Sequence, residues 1–184
     1  MPKKRKTKDV CISMQCSALS LVGYHGTSLQ LSNSIQTDGF QLSKSGWFGS
    51  GVYFFQDFGT LSGSDEAHDW AKYVKHFRDP AVLSAEICSS RFVDLVRVVE
   101  DRQLFEKVCQ LARDRYREAK GTLEGFKESS IYDIIRKRSP DLEVIRAFTN
   151  GSSISTLQTV SRPQVQICVI KSDIIVNVRL IGGH

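Results

Sequence analysis

The sequence predicts an α+β fold, with strands near both ends of the chain and helices between them. Two observations lead to this prediction. Segments 164–170 and 174–181 are rich in β-branched residues, which pack well on a pleated sheet. Segment 102–119 places apolar side chains at helical spacing, which is typical of an amphipathic helix. A length of 184 residues favours a single domain.

The remaining elements follow from their own local patterns. Residues 19–24 form a short apolar run, which predicts a buried strand. Residues 28–37 are predicted to be helical because Ser28 can cap the start of a helix and Gly39 can end it. Further helices are predicted over 65–77 and 132–137, and further strands over 52–55, 82–87 and 92–99, with a glycine- and serine-rich loop over 41–51.

The formal charge of +5 belongs to the start of the chain rather than to the predicted domain. Residues 1–8 hold five basic residues and no acid, so the rest of the chain is formally neutral. Residues 1–9 are therefore expected to be a basic disordered tail, and residues 10–184 a single domain. The run Pro-Lys-Lys-Arg-Lys also fits a nucleic-acid-binding or nuclear-import segment, and this alternative stays open.

The compartment is inferred from the residues after this tail and from the cysteines. Residues 10–23 are too polar for the apolar core of a signal peptide. The sequence contains no run of about 18 apolar residues, so it predicts no helix that spans a membrane. The five cysteines are odd in number and contain no Cys-x-x-Cys pair, which fits a reducing compartment without a zinc site. We expect a cytoplasmic protein with neither a metal nor a membrane partner, and a nuclear location is the alternative.

Two short clusters contain the residue types of a ligand site. The first, YHGTS at 24–28, places a histidine and then a glycine at the end of a buried strand. Glycine lets a ligand approach the backbone closely, and histidine adds a hydrogen-bond donor and an acceptor. The second, GWFGSGVYF at 46–54, is a glycine-rich loop that leads into a strand carrying Tyr53. Taken alone, each cluster is more often ordinary packing than a binding site.

Together the two clusters resemble the NAD-binding core of the ADP-ribosyltransferases of the His-Tyr-Glu class, which includes diphtheria toxin and the poly(ADP-ribose) polymerases. In that family a strand ending in His-Gly-Thr/Ser precedes a helix, and a loop then leads into a Gly-x-Gly-(Ile/Val)-Tyr-Phe strand. The similar segments here are YHGTS at 24–28, IQTDGF at 35–40 and FGSGVYFF at 48–55. The resemblance implies a split β-sandwich with flanking helices, and NAD as the co-substrate.

The resemblance also implies roles for individual residues. His25 would hydrogen-bond a ribose of NAD, and the Gly26 backbone would bind the nicotinamide carboxamide. Thr27 belongs to the same NAD-binding motif. Tyr53 would stack on the nicotinamide ring, whose positive charge suits an electron-rich aromatic face. Tyr73 is the candidate for the family's second stacking tyrosine, although a core position fits it equally well.

The sequence departs from the family at its third position, a glutamate that opens a late strand. Spacing to the final strand places Gln166 there, and Gln164 lies two residues earlier on the same face. Glutamine can orient a ribose but cannot act as a base, so mono-transfer rather than chain extension is expected. Three interpretations of Gln166 stay open: a divergent branch, an introduced Glu→Gln change that disarms the enzyme, or a binding-only protein. Gln164 resembles the acceptor-recognition residue of ADP-ribosylating toxins.

The function implied by this resemblance is NAD-dependent mono-ADP-ribosyl transfer with release of nicotinamide, and the catalytic residues would be His25, Tyr53 and Gln166. The expected acceptor is a macromolecule, either nucleic acid or protein. A bacterial toxin or anti-phage factor, with an antitoxin or inhibitor as its partner, fits a small domain of this kind. The alternatives are a non-catalytic module that binds NAD or ADP-ribose, and a nucleic-acid-binding domain. Glu86 and Asp57 are weaker candidates for a replacement acid.

Overall fold

The computed structural model describes residues 19–127, 129–150 and 163–183. The predicted basic tail, residues 1–9, lies outside the described residues. The strands are β1 (Leu19–Ser28), β2 (Val52–Gln56), β3 (Pro80–Ser89), β4 (Phe92–Asp94), β5 (Val144–Asn150), β6 (Pro163–Val169) and β7 (Ile175–Gly183). The α-helices are α1 (Leu29–Asp38), α2 (Gly63–Asp69), α3 (Val99–Lys120) and α4 (Ser129–Arg138). A π-helical turn (Trp70–Val74) continues α2, and a 3₁₀ turn (Ser172–Ile174) precedes β7.

The seven described strands form one mixed sheet in the order β4-β5-β6-β2-β1-β3-β7. All neighbouring strands are antiparallel except β4 and β5, which are parallel. The long pairing of β1 with β3 joins ten residue pairs, from Leu19↔Ser89 to Ser28↔Pro80. This sheet with its helices agrees with the predicted α+β class.

Each face of the sheet carries its own apolar core. On one face, Ile145 of β5 and Cys168 of β6 pack with Ile131 and Ile135 of α4. On the other face, Phe54 of β2 belongs to a core whose buried members also include Leu21, Ala85, Ile87, Val144, Ile167 and Val169. Because side chains alternate along a strand, neighbouring residues of β6 enter different cores. The central strands β2, β5 and β6 are therefore largely buried on both faces, as a central layer requires.

The predicted helices all form, with small changes at their ends. Ser28 caps α1 because its side-chain oxygen accepts a hydrogen bond from the Leu31 amide at 3.2 Å. Gly39 ends this helix at a φ of 83°, a backbone conformation that glycine adopts without strain. The helix predicted over 65–77 is shorter and irregular, since its second half is the π-helical turn.

The strand predicted over 92–99 is wrong beyond Asp94, where β4 ends. The Asp94 carboxylate accepts hydrogen bonds from the amides of Val96 and Arg97, at 2.9 and 3.0 Å. These bonds bend the backbone into a turn, as aspartate side chains commonly do. The residues Leu95 and Val96 are apolar because they are buried in this turn, not because they lie in a strand.

Strand β5 is a finding that the sequence did not predict. It lies between β4 and β6, and its residues Val144, Ile145 and Ala147 are almost fully buried. Its centre carries Arg146, which is 1% exposed and breaks the apolar run. Within the described residues, no helix combines the length and apolar character needed to cross a membrane.

Candidate functional site

A cavity of about 1310 Å³ lies where β1, β2 and β6 meet α1, α2 and the loop before β2. The residues to which the family resemblance gives a role all border it: His25, Gly26, Thr27, Tyr53, Tyr73, Gln164 and Gln166. They come from three strands and one helical segment that are far apart in the chain. The structure therefore brings the predicted residues together at one place.

The cavity opens where β1 and β2 separate. These strands pair through Tyr24 and Phe55, and no later pair joins them in the described ladder. The next residue, His25, donates a hydrogen bond from Nδ1 to the carbonyl oxygen of Tyr53 at 2.9 Å. A hydrogen bond from a side chain thus replaces a backbone hydrogen bond where β1 and β2 separate. His25 also contacts the rings of Phe40 and Phe54, on the face opposite Tyr24.

The protonation of His25 follows from these contacts. Burial lowers the pKa of His25 below its ordinary value of 6.5, and the hydrogen bond to the Tyr53 carbonyl opposes this effect only in part. The ring is therefore neutral at pH 7. Since Nδ1 carries the proton that binds the Tyr53 carbonyl, Nε2 has a lone pair and can accept a hydrogen bond from a ligand hydroxyl.

The lowered pKa of His25 predicts a pH dependence of stability. At pH values between the lowered pKa and 6.5, His25 binds a proton in the unfolded chain but not in the folded chain. The free energy of unfolding therefore falls as the pH falls through this window. Asparagine at position 25 can donate to the Tyr53 carbonyl but does not titrate. Thermal melting should show a larger fall from pH 7.5 to pH 5.5 in the wild type than in His25→Asn.

The exposed histidine His68 provides the matched control for this measurement, because its side chain is 42% exposed and lies outside the cavity. His68→Asn should show the same fall in melting temperature as the wild type between the two pH values. Equal falls in the wild type and His25→Asn would contradict a lowered pKa of His25 in the folded protein.

Gly26 lies where helix α2 packs closely against strand β1. A Cβ atom at this position would lie 1.9 Å from the carbonyl oxygen of Ala67 in α2. Glycine therefore permits the close packing of α2 against β1. Thr27, the next residue, is 3% exposed. Helix packing thus accounts for the glycine at position 26, and its backbone also borders the cavity.

Tyr53 is anchored through its hydroxyl group. The hydroxyl donates to the carbonyl oxygen of Gly49 at 2.6 Å and accepts from the amide of Phe48 at 2.9 Å. Burial raises the pKa of Tyr53 above its ordinary range, so the hydroxyl is not an acid or a base at neutral pH. Gly46 lies against the ring, because a Cβ there would come within 2.3 Å of the hydroxyl oxygen. Tyr53 therefore offers the cavity an aromatic surface.

Arg136 of α4 holds the same loop from the other side. Its guanidinium donates to the Phe48 carbonyl at 2.9 Å and to the Ser50 hydroxyl at 3.2 Å. The loop itself closes through a bridge between Ser43 and Gly51. The loop before β2 is thus held by hydrogen bonds from both Tyr53 and Arg136.

The two glutamines of β6 lie on the same face as Tyr53. Gln166 is the register partner of Phe55 and Cys168 that of Tyr53, so these side chains project to one side of the sheet. The Nε2 group of Gln164 donates a hydrogen bond to the Oε2 atom of Glu66 in α2. A carboxylate therefore lies beside the glutamine pair.

Glu66 is the residue that the sequence analysis missed. Glu66, Asp69, Trp70 and Tyr73 all border the cavity, at positions i, i+3, i+4 and i+7. Residues at this spacing lie on one face of a helix. If Tyr73 faces the site, the helical spacing therefore predicts that Glu66 faces it as well. Tyr73 itself is 44% exposed, which fits a cavity wall and not a core position.

The other acids and thiols considered do not belong to this site. Glu86 lies at the β3–β7 pair and accepts a hydrogen bond from Asn177 at 2.9 Å. Asp57 accepts from the Gly63 amide at 2.7 Å and from the Tyr24 hydroxyl at 3.0 Å, so it holds the start of α2. Burial raises the pKa of Cys168 to about 11, which leaves this thiol protonated and a poor nucleophile.

A search for metal ligands over residues 19–127, 129–150 and 163–183 finds no group of three or more His, Cys, Asp or Glu side chains that could hold an ion. The side chains that border the cavity include imidazole, aromatic, amide and carboxylate groups. No protein-family model matches the sequence, and a search of the curated proteins finds no match.

Proposed function

We propose that the protein is an NAD-dependent mono-ADP-ribosyltransferase that transfers ADP-ribose from NAD to a macromolecular acceptor and releases nicotinamide. The observation that carries this proposal is that His25, Tyr53 and Gln166 border one cavity at the split between β1 and β2, with His25 on the sheet face opposite to Tyr53 and Gln166. His25 and Tyr53 lie in separate motifs that resemble the His-Tyr-Glu class, and Gln166 lies where that class has its glutamate. On this proposal the seven-stranded sheet, with its opening between β1 and β2, corresponds to the family's split β-sandwich.

The groups around the cavity suit the parts of NAD. Its volume of about 1310 Å³ exceeds the ~300–1000 Å³ of usual ligand pockets, so a dinucleotide has room. The neutral His25 ring can accept a hydrogen bond from a ribose hydroxyl, and the ring of Tyr53 offers a face to cationic nicotinamide. Lys75, whose Nζ lies 4.9 Å from the Trp70 ring centroid, brings a positive charge for the pyrophosphate.

A second candidate function is a module that binds NAD or ADP-ribose without cleaving it. Gln166 favours this function, because an amide cannot take the proton of an acceptor. The two candidates share a ligand and differ in one measurable event, the release of nicotinamide.

The test measures NAD binding and nicotinamide release on the same preparation. We expect NAD at 100 times its Kd to stabilise the protein by about 2.7 kcal/mol. We expect His25→Asn to lower nicotinamide release by about 100-fold, the size typical for removing one group that binds the transition state. Asparagine keeps the hydrogen bond to the Tyr53 carbonyl, so the fold is retained. His68→Asn is the matched control and should behave as the wild type.

The acceptor is identified by incubating the protein and labelled NAD with cell extract and digesting the products with nuclease or protease. Label that nuclease removes indicates a nucleic-acid acceptor, and label that protease removes indicates a protein. Stabilisation by NAD without nicotinamide release favours the binding module. An absence of both stabilisation and release contradicts both candidate functions.

A further inference from the structure

Glu66 brings a carboxylate to the place where β6 has glutamines. Its Oε2 atom accepts a hydrogen bond from Nε2 of Gln164, and both residues border the cavity with Gln166. Residues 164 and 166 are about 7 Å apart along the strand, since a strand rises about 3.3 Å per residue. The Glu66 carboxylate, which is hydrogen-bonded to Gln164, therefore lies within reach of a substrate that contacts Gln166.

We propose that Glu66 of α2 supplies the catalytic carboxylate that β6 lacks, an inference that rests on the proposed transferase function. In the family that this sequence resembles, the acid opens the strand itself. Here the acid comes from a neighbouring helix, and the strand contributes the Gln164 amide that orients it. Gln164 is a positioning residue, because it acts through Glu66.

The helix that carries Glu66 is held firmly in place. Ser62 caps α2 by accepting a hydrogen bond from the Asp65 amide at 3.2 Å, and Asp57 accepts from the Gly63 amide at 2.7 Å. The next residue, Ala67, is fully buried, and its carbonyl lies over Gly26 of β1. Side chains on such fixed elements are placed more accurately than side chains on loops, which suits a catalytic group.

The transfer step balances with Glu66 as the base. The bond between the ribose anomeric carbon and the nicotinamide nitrogen breaks, and its electron pair leaves with nicotinamide, which becomes neutral. A lone pair of the acceptor forms the new bond to the same carbon. The proton that the acceptor loses passes to the Glu66 carboxylate and then to solvent. The negative charge of Glu66 also stabilises the positive charge that develops on the ribose.

Two other carboxylates border the cavity but do not share this position. Asp69 lies 3.6 Å from the His68 ring, and its side chain is 58% exposed. Asp38 ends α1 on the opposite wall and is exposed. Of these three acids, Glu66 has the hydrogen bond to the glutamine pair.

The proposal is tested by comparing Glu66→Gln with the wild type. We expect the rate of nicotinamide release at saturating NAD to fall by about 100-fold or more, the range for a general base. The thermal stabilisation by NAD should be unchanged, because glutamine preserves the shape of the side chain. Glu86→Gln is the matched control, since Glu86 lies outside the cavity, and both of its readouts should equal those of the wild type.

A rescue experiment separates catalysis from a structural role. In the double variant Glu66→Gln/Gln166→Glu, the acid is moved to the strand, and we expect release to recover at least ten-fold over Glu66→Gln. A purely structural Glu66 would not be replaced by an acid on another element. If Glu66→Gln does not fold, Glu66→Asp keeps the charge, and we expect it to release nicotinamide more slowly than the wild type with NAD stabilisation retained.

The outcomes distinguish this proposal from the function on which it rests. If Glu66→Gln releases nicotinamide at the rate of the wild type, the role of Glu66 is overturned and the proposed transferase function is not. The same holds for Glu66→Asp where that variant is used instead. Failure of the rescue also overturns it. Stabilisation of the wild type by NAD without release overturns Glu66 as a catalytic residue and favours a binding module. A wild type that neither releases nicotinamide nor is stabilised by NAD overturns the transferase itself.

Discussion

Asp94→Ala is expected to lower the free energy of unfolding by about 3–5 kcal/mol, the usual cost of removing one partner of a buried ion pair. Asp94 and Arg146 are 2% and 1% exposed, and their side chains lie 2.9 Å apart. Without Asp94, the guanidinium of Arg146 keeps its hydrogen bond to Gln56 at 2.8 Å but loses its counter-charge. The turn after β4 also loses the two amide bonds that the carboxylate accepts.

Denaturant unfolding of the wild type and the variant measures this loss. Asp114→Ala is the matched control, because Asp114 pairs with Arg117 at 3.7 Å and their side chains are 45% and 56% exposed. For that exposed pair we expect a change within about 0.5 kcal/mol. A loss below about 1 kcal/mol for Asp94→Ala, the scale of a surface pair, would contradict the buried role.

Gly26→Ala is expected to destabilise the protein by about 3 kcal/mol, the upper part of the range for overpacked sites. The new methyl group would lie 1.9 Å from the Ala67 carbonyl oxygen, and a backbone atom cannot move aside as the end of a side chain can. Either β1 or α2 must shift. Since α2 carries Glu66, nicotinamide release should also fall in molecules that remain folded.

Gly182→Ala is the control for Gly26→Ala. A Cβ at position 182 would lie 4.0 Å from the Cβ of Val82, an ordinary contact distance. We expect its stability to lie within about 0.5 kcal/mol of the wild type. Thermal and denaturant unfolding compare the two variants, and equal stability would show that α2 does not pack on Gly26.

Local patterns were sufficient to predict most of the helices and the strands near both ends of the described chain. The start of α1 at Ser28 and its end at Gly39 follow from capping chemistry that involves only neighbouring residues. The apolar runs of β2 and β6 likewise indicate strands without knowledge of their partners. What these elements share is that their structure depends on residues close in sequence.

The elements that the sequence did not predict depend on distant contacts. Strand β5 is interrupted by Arg146, and a charge in its centre becomes acceptable only because Asp94 lies beside it. The same aspartate ends β4 after Phe92–Asp94. In each case a side chain from another element decides the outcome, and local propensity does not contain that information.

The residues of the candidate site also fall into those that local motifs predict and those that depend on distant contacts. His25 and Tyr53 were found because each lies in a short motif of consecutive residues. Glu66 was missed because its importance depends on Gln164, a residue 98 positions away. The pairing between strands, which the sequence does not contain, places Gln166 on the face of Tyr24 and therefore on the face opposite His25.

The anchoring of the loop before β2 has a consequence for the affinity of the site. Hydrogen bonds from Tyr53 and Arg136 already hold this wall of the cavity in one arrangement. Ordering a mobile side chain on binding costs about 0.5–1.5 kcal/mol, and a preorganised wall avoids that loss. A ligand that contacts this wall would therefore keep more of its interaction free energy as affinity.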